Sequence, residues 1–441
     1  MWLRFCAYLL LGVLAGCGGG GGGSATPPID GPPPLNPNPN ILLIISDDVG
    51  LDASSGYTIG TELPATPTLD ALAANGLIFD NAWANPVCSP TRATMLTGRY
   101  GYRTGVLTAG DDISLDETSL QSFIDTNIPN TYSHAAFGKW HLAGPENGED
   151  DNPNLMGIDR YAGLPAGAGG TNYFDWTLVQ DGQSEESFEY TTTAFANLAS
   201  DWIATQQQPW FAWLAFNAAH TPFHVPPLDL HDRDTLPENP QPPVNELPYY
   251  LAAIEAMDFE IGRLLDRLSP TVRANTIIIY LGDNGTPRRV VQGHASDHGK
   301  GSVYEGGVAV PMIIAGRGVT RIGEREDGLV GSVDLFATIA SLAGTNTDEI
   351  NDSKSFAHLL TEATTSRREY AYAEIENDDR SDWTIRNDRY KLVERMPTGG
   401  APVQELYDLE ADPFEQNNRV NDVDLAATLI ELQAQAALIR Q

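Results

Sequence analysis

Two wholly apolar, β-branched runs constrain this chain more than any other feature: Asn40-Ile-Leu-Leu-Ile-Ile-Ser46 and Thr276-Ile-Ile-Ile-Tyr-Leu281. Neither alternates apolar with polar residues, so each has to be buried on both faces, the condition of a central strand in a parallel sheet. Each run ends in a polar cluster, Asp47-Asp48 after the first and Gly282-Asp283-Asn284-Gly285 after the second. Open α/β sheets place their sites at the C-terminal ends of such strands. Asp47-Asp48 alone is also compatible with a solvated turn. Paired with Asp283 and Asn284, it becomes an all-oxygen donor set suited to Ca²⁺, with Mg²⁺ second. No cluster of Cys and His with zinc-type spacing occurs.

The rest of the chain supplies helices to cover such a sheet. Pro67–Asn75 reads as a helix closed by Gly76, and Leu77–Phe79 as the start of the next strand. Thr191–Ala204 has helical spacing and leads into a strand over Trp210–Phe216. Leu251, Ile254, Met257, Ile261, Leu264 and Leu268 make one helical stripe of core residues. Alternation of this kind predicts an α/β fold, with a mostly parallel central sheet flanked by helices. After about residue 345 the pattern changes. Arg368–Glu376, Trp383–Asn387 and Tyr390–Arg395 read as short strands, with Asn387-Asp388 as a turn, and residues 424–439 as a closing amphipathic helix.

The chemistry centres on Pro86-Val-Cys-Ser-Pro-Thr-Arg-Ala-Thr-Met-Leu-Thr-Gly-Arg99. Pro90 suits the first turn of a helix, and residues 91–97 continue it. Cys88 then sits near a helix N-terminus, where free N–H groups favour negative charge, with Arg92 beside it. A buried structural cysteine has the same local appearance. The full string resembles the first signature of the type I sulfatases, whose Cys-x-Pro-x-Arg cysteine is oxidised to formylglycine after translation. Further segments extend the likeness. Gly138-Lys-Trp-His141 resembles the second sulfatase signature, although Thr131-Tyr-Ser-His134 departs from its Gly-Tyr-x-Thr opening and Phe137 replaces a smaller residue. His220, in Phe216-Asn-Ala-Ala-His-Thr-Pro222, matches a histidine of the family. Lys300-Gly-Ser-Val-Tyr-Glu-Gly-Gly307 matches a lysine segment, with Ala309 where the family commonly has arginine. Glu405–Pro413 resembles the family's tail, and residues 346–441 its small antiparallel-sheet subdomain beside a catalytic domain of residues 40–345.

The resemblance implies an alkaline phosphatase-like fold and hydrolysis of sulfate esters, aryl or carbohydrate. Asp47, Asp48, Asp283, Asn284 and residue 88 would hold the cation. Formylglycine, made from Cys88 by a maturation enzyme, would attack sulfur as its hydrate, and His141 would take the second hydroxyl's proton to expel sulfate. Arg92 and Lys139 would stabilise the nucleophile, Lys139, His220 and Lys300 would surround the sulfate, and His220 would protonate the leaving oxygen. A phosphonate or phosphate ester hydrolase of the same superfamily is the alternative enzyme, and an inactive sulfated-glycan-binding lipoprotein the alternative of another class. His224 reads as structural. Arg288, Arg289, His294, Asp297 and His298 form a polar loop that can also select substrate at the pocket rim.

Composition bears on partners and address. A formal charge of −33, from 59 acidic against 26 basic residues, excludes a nucleic-acid partner of the usual kind. Arg4, the apolar Phe5–Ala15 and Leu14-Ala-Gly-Cys17 resemble a bacterial lipoprotein leader over residues 1–16, with a lipid anchor at Cys17. Gly- and Pro-rich residues 17–39 read as a tether. The expectation is an exported, outer-membrane-anchored lipoprotein facing periplasm or cell surface. Cys6 leaves with the leader and Cys17 is acylated, so Cys88 has no disulfide partner.

Overall fold

The computed structural model describes residues 37–167, 172–233, 236–237 and 245–441. The leader, Cys17 and the tether up to residue 36 lie outside the described residues. The main sheet has ten strands, β1 (Asn40–Ser46), β2 (Gly76–Phe79), β3 (Ser133–Lys139), β4 (Arg160–Leu164), β5 (Trp176–Gln180), β6 (Gln183–Ser187), β7 (Trp210–Ala215), β8 (Thr276–Gly282), β9 (Met312–Gly316) and β10 (Glu324–Glu326), in the order β10-β2-β9-β8-β1-β7-β3-β4-β5-β6. Strands β8, β1, β7, β3 and β4 are mutually parallel, and only β9 and β5 run against the common direction.

The uninterrupted apolar run of β1 is explained by its two faces. Leu42 and Ile44 enter a core shared with α1 (Pro67–Ala74), α3 (Thr191–Thr205) and α4 (Leu247–Arg267). Ile41, Leu43 and Ile45 enter the opposite core, shared with α2 (Cys88–Thr97) and α5 (Leu335–Ala343). The stripe from Leu251 to Leu264 is the buried face of α4, where each large aliphatic side chain contributes about 1.5–3 kcal/mol. Helix α2 starts at Cys88, three residues before the run expected to be helical, because Val87 is still extended and Pro90 is tolerated inside the first turn. It stops at Gly98, whose φ of 65° closes the helix and whose missing Cβ makes room for the Phe336 ring.

The C-terminal sheet has four antiparallel strands, β11 (Ala371–Asn377), β12 (Arg380–Arg386), β13 (Tyr390–Pro397) and β14 (Val403–Asp408), covered by α6 (Ala426–Ile439). Strand β12 begins three residues earlier than the sequence reading placed it, because Arg380 pairs with Asn377 across the hairpin. Phe356, Leu359 and Leu360 still pack in the core of the main sheet.

A buried ion cluster clasps the two sheets together. Lys391 Nζ, on β13, meets Glu305 Oε1 at 3.0 Å and Glu415 Oε1 at 2.8 Å, with no exposure of the lysine side chain. Removing one member of such a cluster strands the other charges. Lys391→Met is therefore expected to destabilise the protein by about 3 kcal/mol, read as a fall in the midpoint of urea unfolding. An unchanged midpoint would contradict this.

Candidate active site

The sheet register brings the sequence-predicted residues to one level. Ser46 of β1 pairs with Gly282 of β8, and Ile45 with Ala215 of β7, which in turn pairs with Gly138 of β3. Asp47, Asp283 and Lys139 therefore stand at one level, at the ends of β1, β8 and β3 in a row of four adjacent parallel strands. Gly138 has φ 92°, and a Cβ there would stand 2.0 Å from the Ala215 carbonyl oxygen. Only glycine allows β3 to turn so close to β7 and present Lys139 and His141.

Asp47, Asp48, Asp283 and Asn284 are all buried. Asp48 N donates to Asp283 Oδ1 at 3.1 Å, and Asn284 Nδ2 donates to Asp48 Oδ1 at 2.9 Å. Ligand atoms of Asp47, Cys88 and Asp283 lie within 4.8 Å of one another, as do those of Asp47, Asp48 and His220. Two oxygens of the cluster, Asp47 Oδ1 and Asn284 Oδ1, are buried without a hydrogen-bond partner among the described residues. Such acceptors are costly to bury unless something satisfies them. Hard oxygen donors with unfilled lone pairs fit a divalent cation of the Ca²⁺ or Mg²⁺ kind.

Cationic side chains surround the carboxylates. Lys139 Nζ lies 2.5 Å from Asp47 Oδ2, and Lys300 Nζ 2.5 Å from Asp48 Oδ1. Arg92 donates from Nε at 3.1 Å and from Nη2 at 2.7 Å to Asp283 Oδ2, and from Nη1 to the Lys139 carbonyl. The sequence reading set the charge of Arg92 beside Cys88; the guanidinium interacts electrostatically with Cys88, while its hydrogen bonds go to Asp283 and the end of β3. Burial works against ionisation of Asp48, but Lys300 and His220 outweigh it and hold the carboxyl below its usual range. Burial and neighbouring Asp47 push Asp283 up.

Cys88 lies at the start of α2, and its Sγ is 3.1 Å from His141 Nδ1. Burial raises the thiol's pKa, against the pull of Lys139 and Lys300. Reactive cysteines show the opposite shift. His141 has φ 63° and is capped by the turn at Gly167, where a Cβ would strike its ring. Burial, then Lys139 and Arg92, push His141 strongly down, so the ring is neutral. His220 Nε2 stands 3.9 Å from Asp48 Oδ2.

Two tyrosines that the sequence reading did not single out hold this arrangement. Tyr250 OH donates to the Asp48 carbonyl at 2.8 Å. Tyr173 OH lies 2.6 Å from the Asn217 carbonyl oxygen and 2.7 Å from that of His220. Tyr250 directly precedes the apolar stripe of α4 and carries no motif to mark it. His224 is structural in its contacts: Nε2 lies 2.9 Å from Tyr190 OH, the ring sits 3.9 Å from that of Tyr173, and burial lowers its pKa to about 4. Within the 288–298 loop three side chains turn to neighbours outside this cluster. Arg289 pairs with Glu246, His294 packs on Phe414, and His298 lies flat on Tyr304 at 3.6 Å.

A family model described as Sulfatase matches residues 39–345, and one described as N-sulphoglucosamine sulphohydrolase, C-terminal, matches residues 294–441. The N-acetylgalactosamine-6-sulfatase of Rattus norvegicus is 30% identical over 350 residues, covering 69% of this chain and 62% of the relative. The uncharacterized sulfatase YidJ of Escherichia coli strain K12 is 27% identical over 445 residues, covering 88% and 84%. Among solved structures, BT4656 in complex with its substrate D-glucosamine-2-N,6-O-disulfate aligns with a TM-score of 0.72 and 20% identity, covering 90% of this chain and 96% of that one.

Proposed function

Because this chain belongs to the sulfatase family, we propose that it hydrolyses sulfate esters of carbohydrates, with residue 88 converted to formylglycine and a divalent cation, Ca²⁺ before Mg²⁺, in the Asp47–Asp48–Asp283–Asn284 cluster. The observation that carries the reading is the convergence of Cys88, Lys139, His141 and three buried carboxylates at the ends of adjacent parallel strands. The carbohydrate class is supported by the name of the rat relative and by the disulfated glucosamine bound to the solved neighbour.

A bound cation supplies a local positive charge and makes a hydroxyl beside it more acidic. Conversion of Cys88 by a maturation enzyme supplies a carbon that can carry two hydroxyls, a capacity for capture and release that a thiol with a raised pKa lacks. This chain's residues do the rest. His141, neutral and 3.1 Å from the residue 88 side chain, takes its proton. Lys139 and Lys300 balance Asp47 and Asp48 and offer preorganised positive charge to the oxygens of an anionic ester. His220, partly exposed at the edge of the cluster, reaches the leaving oxygen and protonates it. Arg92 and Asp283 neutralise one another and fix helix α2 against β8.

Protein from its native host is expected to release sulfate from sulfated sugars, to lose at least roughly 100-fold in rate on chelation, and to regain it with Ca²⁺. Full activity in a chelated, metal-free preparation would contradict the cation site. The tryptic peptide containing Cys88 is expected to react with an aldehyde probe. An alkylatable thiol at that position in active enzyme would refute the conversion. The proposal also includes export and anchoring through Cys17. Cys17→Ser should move the protein from the membrane fraction to the soluble one, and an unchanged distribution would count against the anchor.

A further inference from the structure

Beside the Lys300 segment lies a second cavity, of about 350 Å³, that the chemistry above does not use. One wall is the loop with Arg288, Ser302 and Tyr304; the other is the C-terminal sheet, through Arg380 and Asp382 on β12 and Arg395 on β13. Two guanidinium groups converge on the residue next to Lys300. Arg288 donates from Nε to the Lys300 carbonyl at 3.2 Å and from Nη2 to the Gly301 carbonyl at 3.4 Å, and Arg380 Nη2 donates to that same Gly301 carbonyl. A Cβ on Gly301 would stand 3.8 Å from Arg380 Nη2 and 4.0 Å from Arg288 Nη2.

Like charges placed this close repel unless something anionic lies between them. Some compensation is built in: Asp382 lies 3.4 Å from Arg380 Nη1, and Glu405 pairs with Arg395. The compensation is incomplete. Arg288 forms no ion pair among the described residues and is exposed, while Arg395 Nε and Ser302 Oγ are buried without hydrogen-bond partners. Asp297 and Asp379 also line the cavity, so the field is mixed, which favours a localised anionic group over a long polyanion. Guanidinium forks bind sulfate and carboxylate with paired donors.

We propose that this cavity is a subsite for a second anionic group, sulfate or carboxylate, on the saccharide whose sulfate ester reacts near Lys300, with Arg288 and Arg380 as its ligands. The inference rests on the sulfatase reading. It gives the enzyme a preference for substrates with two anionic groups, although the molecule as a whole is strongly acidic. It also gives the C-terminal sheet a part in specificity, because Arg380 and Arg395 reach the cavity from β12 and β13.

The test compares kcat/KM for an aryl sulfate and for a sulfated disaccharide with two anionic groups, in wild type, Arg288→Gln and Arg380→Gln. Losing one charge-assisted contact should lower the disaccharide-to-aryl ratio roughly tenfold, mainly through KM. Arg288→Lys, which keeps the charge without the fork, should recover part of it. Equal losses on both substrates would show that the arginines only position the Lys300 segment, and would overturn the subsite. An unchanged ratio would overturn it as well. A wild-type enzyme that releases sulfate from neither substrate would instead strike the sulfatase reading, and the subsite with it.

Discussion

Cys88→Ala is expected to abolish sulfate release, by roughly 10⁴-fold or more, while leaving the fold almost untouched. The side chain is buried but small, and its one polar contact is His141 Nδ1 at 3.1 Å. Loss of its sulfur leaves a modest cavity at the start of α2, on the order of 1 kcal/mol. The functional loss is large because no other nucleophile replaces it: Cys88 is the only cysteine among the described residues. Assaying the variant beside wild type, with unfolding curves for both, separates the two effects. A variant that keeps a tenth of the wild-type rate would remove residue 88 from the chemistry.

Asp283→Asn is expected to damage both stability and turnover. Arg92 and Asp283 have no side-chain exposure, and two guanidinium nitrogens converge on Asp283 Oδ2. Asparagine keeps the shape but removes the charge, leaving a buried guanidinium uncompensated at a cost of about 3–5 kcal/mol. The same change removes one hard ligand from the cation cluster, so turnover should fall by roughly 10³-fold even where the variant remains folded. Asn284→Ala provides the contrast. It removes a ligand oxygen and the Asn284–Asp48 hydrogen bond without stranding a charge, so it should cost activity with less stability. Equal unfolding midpoints for Asp283→Asn and wild type would contradict the account of the Arg92 pair.

Much of this was legible in the sequence, for identifiable reasons. The β1 and β8 runs lack polar residues because both faces are buried, and that same burial fixes where their carboxylates emerge. The Cys88 helix is local in sequence, whereas Asp47-Asp48 and Asp283-Asn284 lie about 235 residues apart and could be joined only because each pair closes a buried apolar run and matches a family motif. What escaped was non-local. Arg92 reaches Asp283 across 191 residues, a pairing that no local pattern encodes. Strand β9 runs antiparallel between β2 and β8, yet an apolar run such as Met312–Gly316 carries no mark of its direction. Strand β14 was hidden because Glu405–Asp408 alternates poorly, its carboxylates being spent on Tyr304, Arg395 and Arg389. Tyr173 and Tyr250 hold the site through backbone carbonyls, contacts that a residue list cannot suggest.

The proposed chemistry is cleavage of sulfate esters. Its most direct test is the rate of inorganic anion release by native-host protein from matched sulfate and phosphate esters of the same sugar. Sulfate release that depends on Cys88 is expected, with the phosphate ester turned over far more slowly. Faster release of phosphate than of sulfate, or no release of either from an enzyme carrying the converted residue 88, would contradict it.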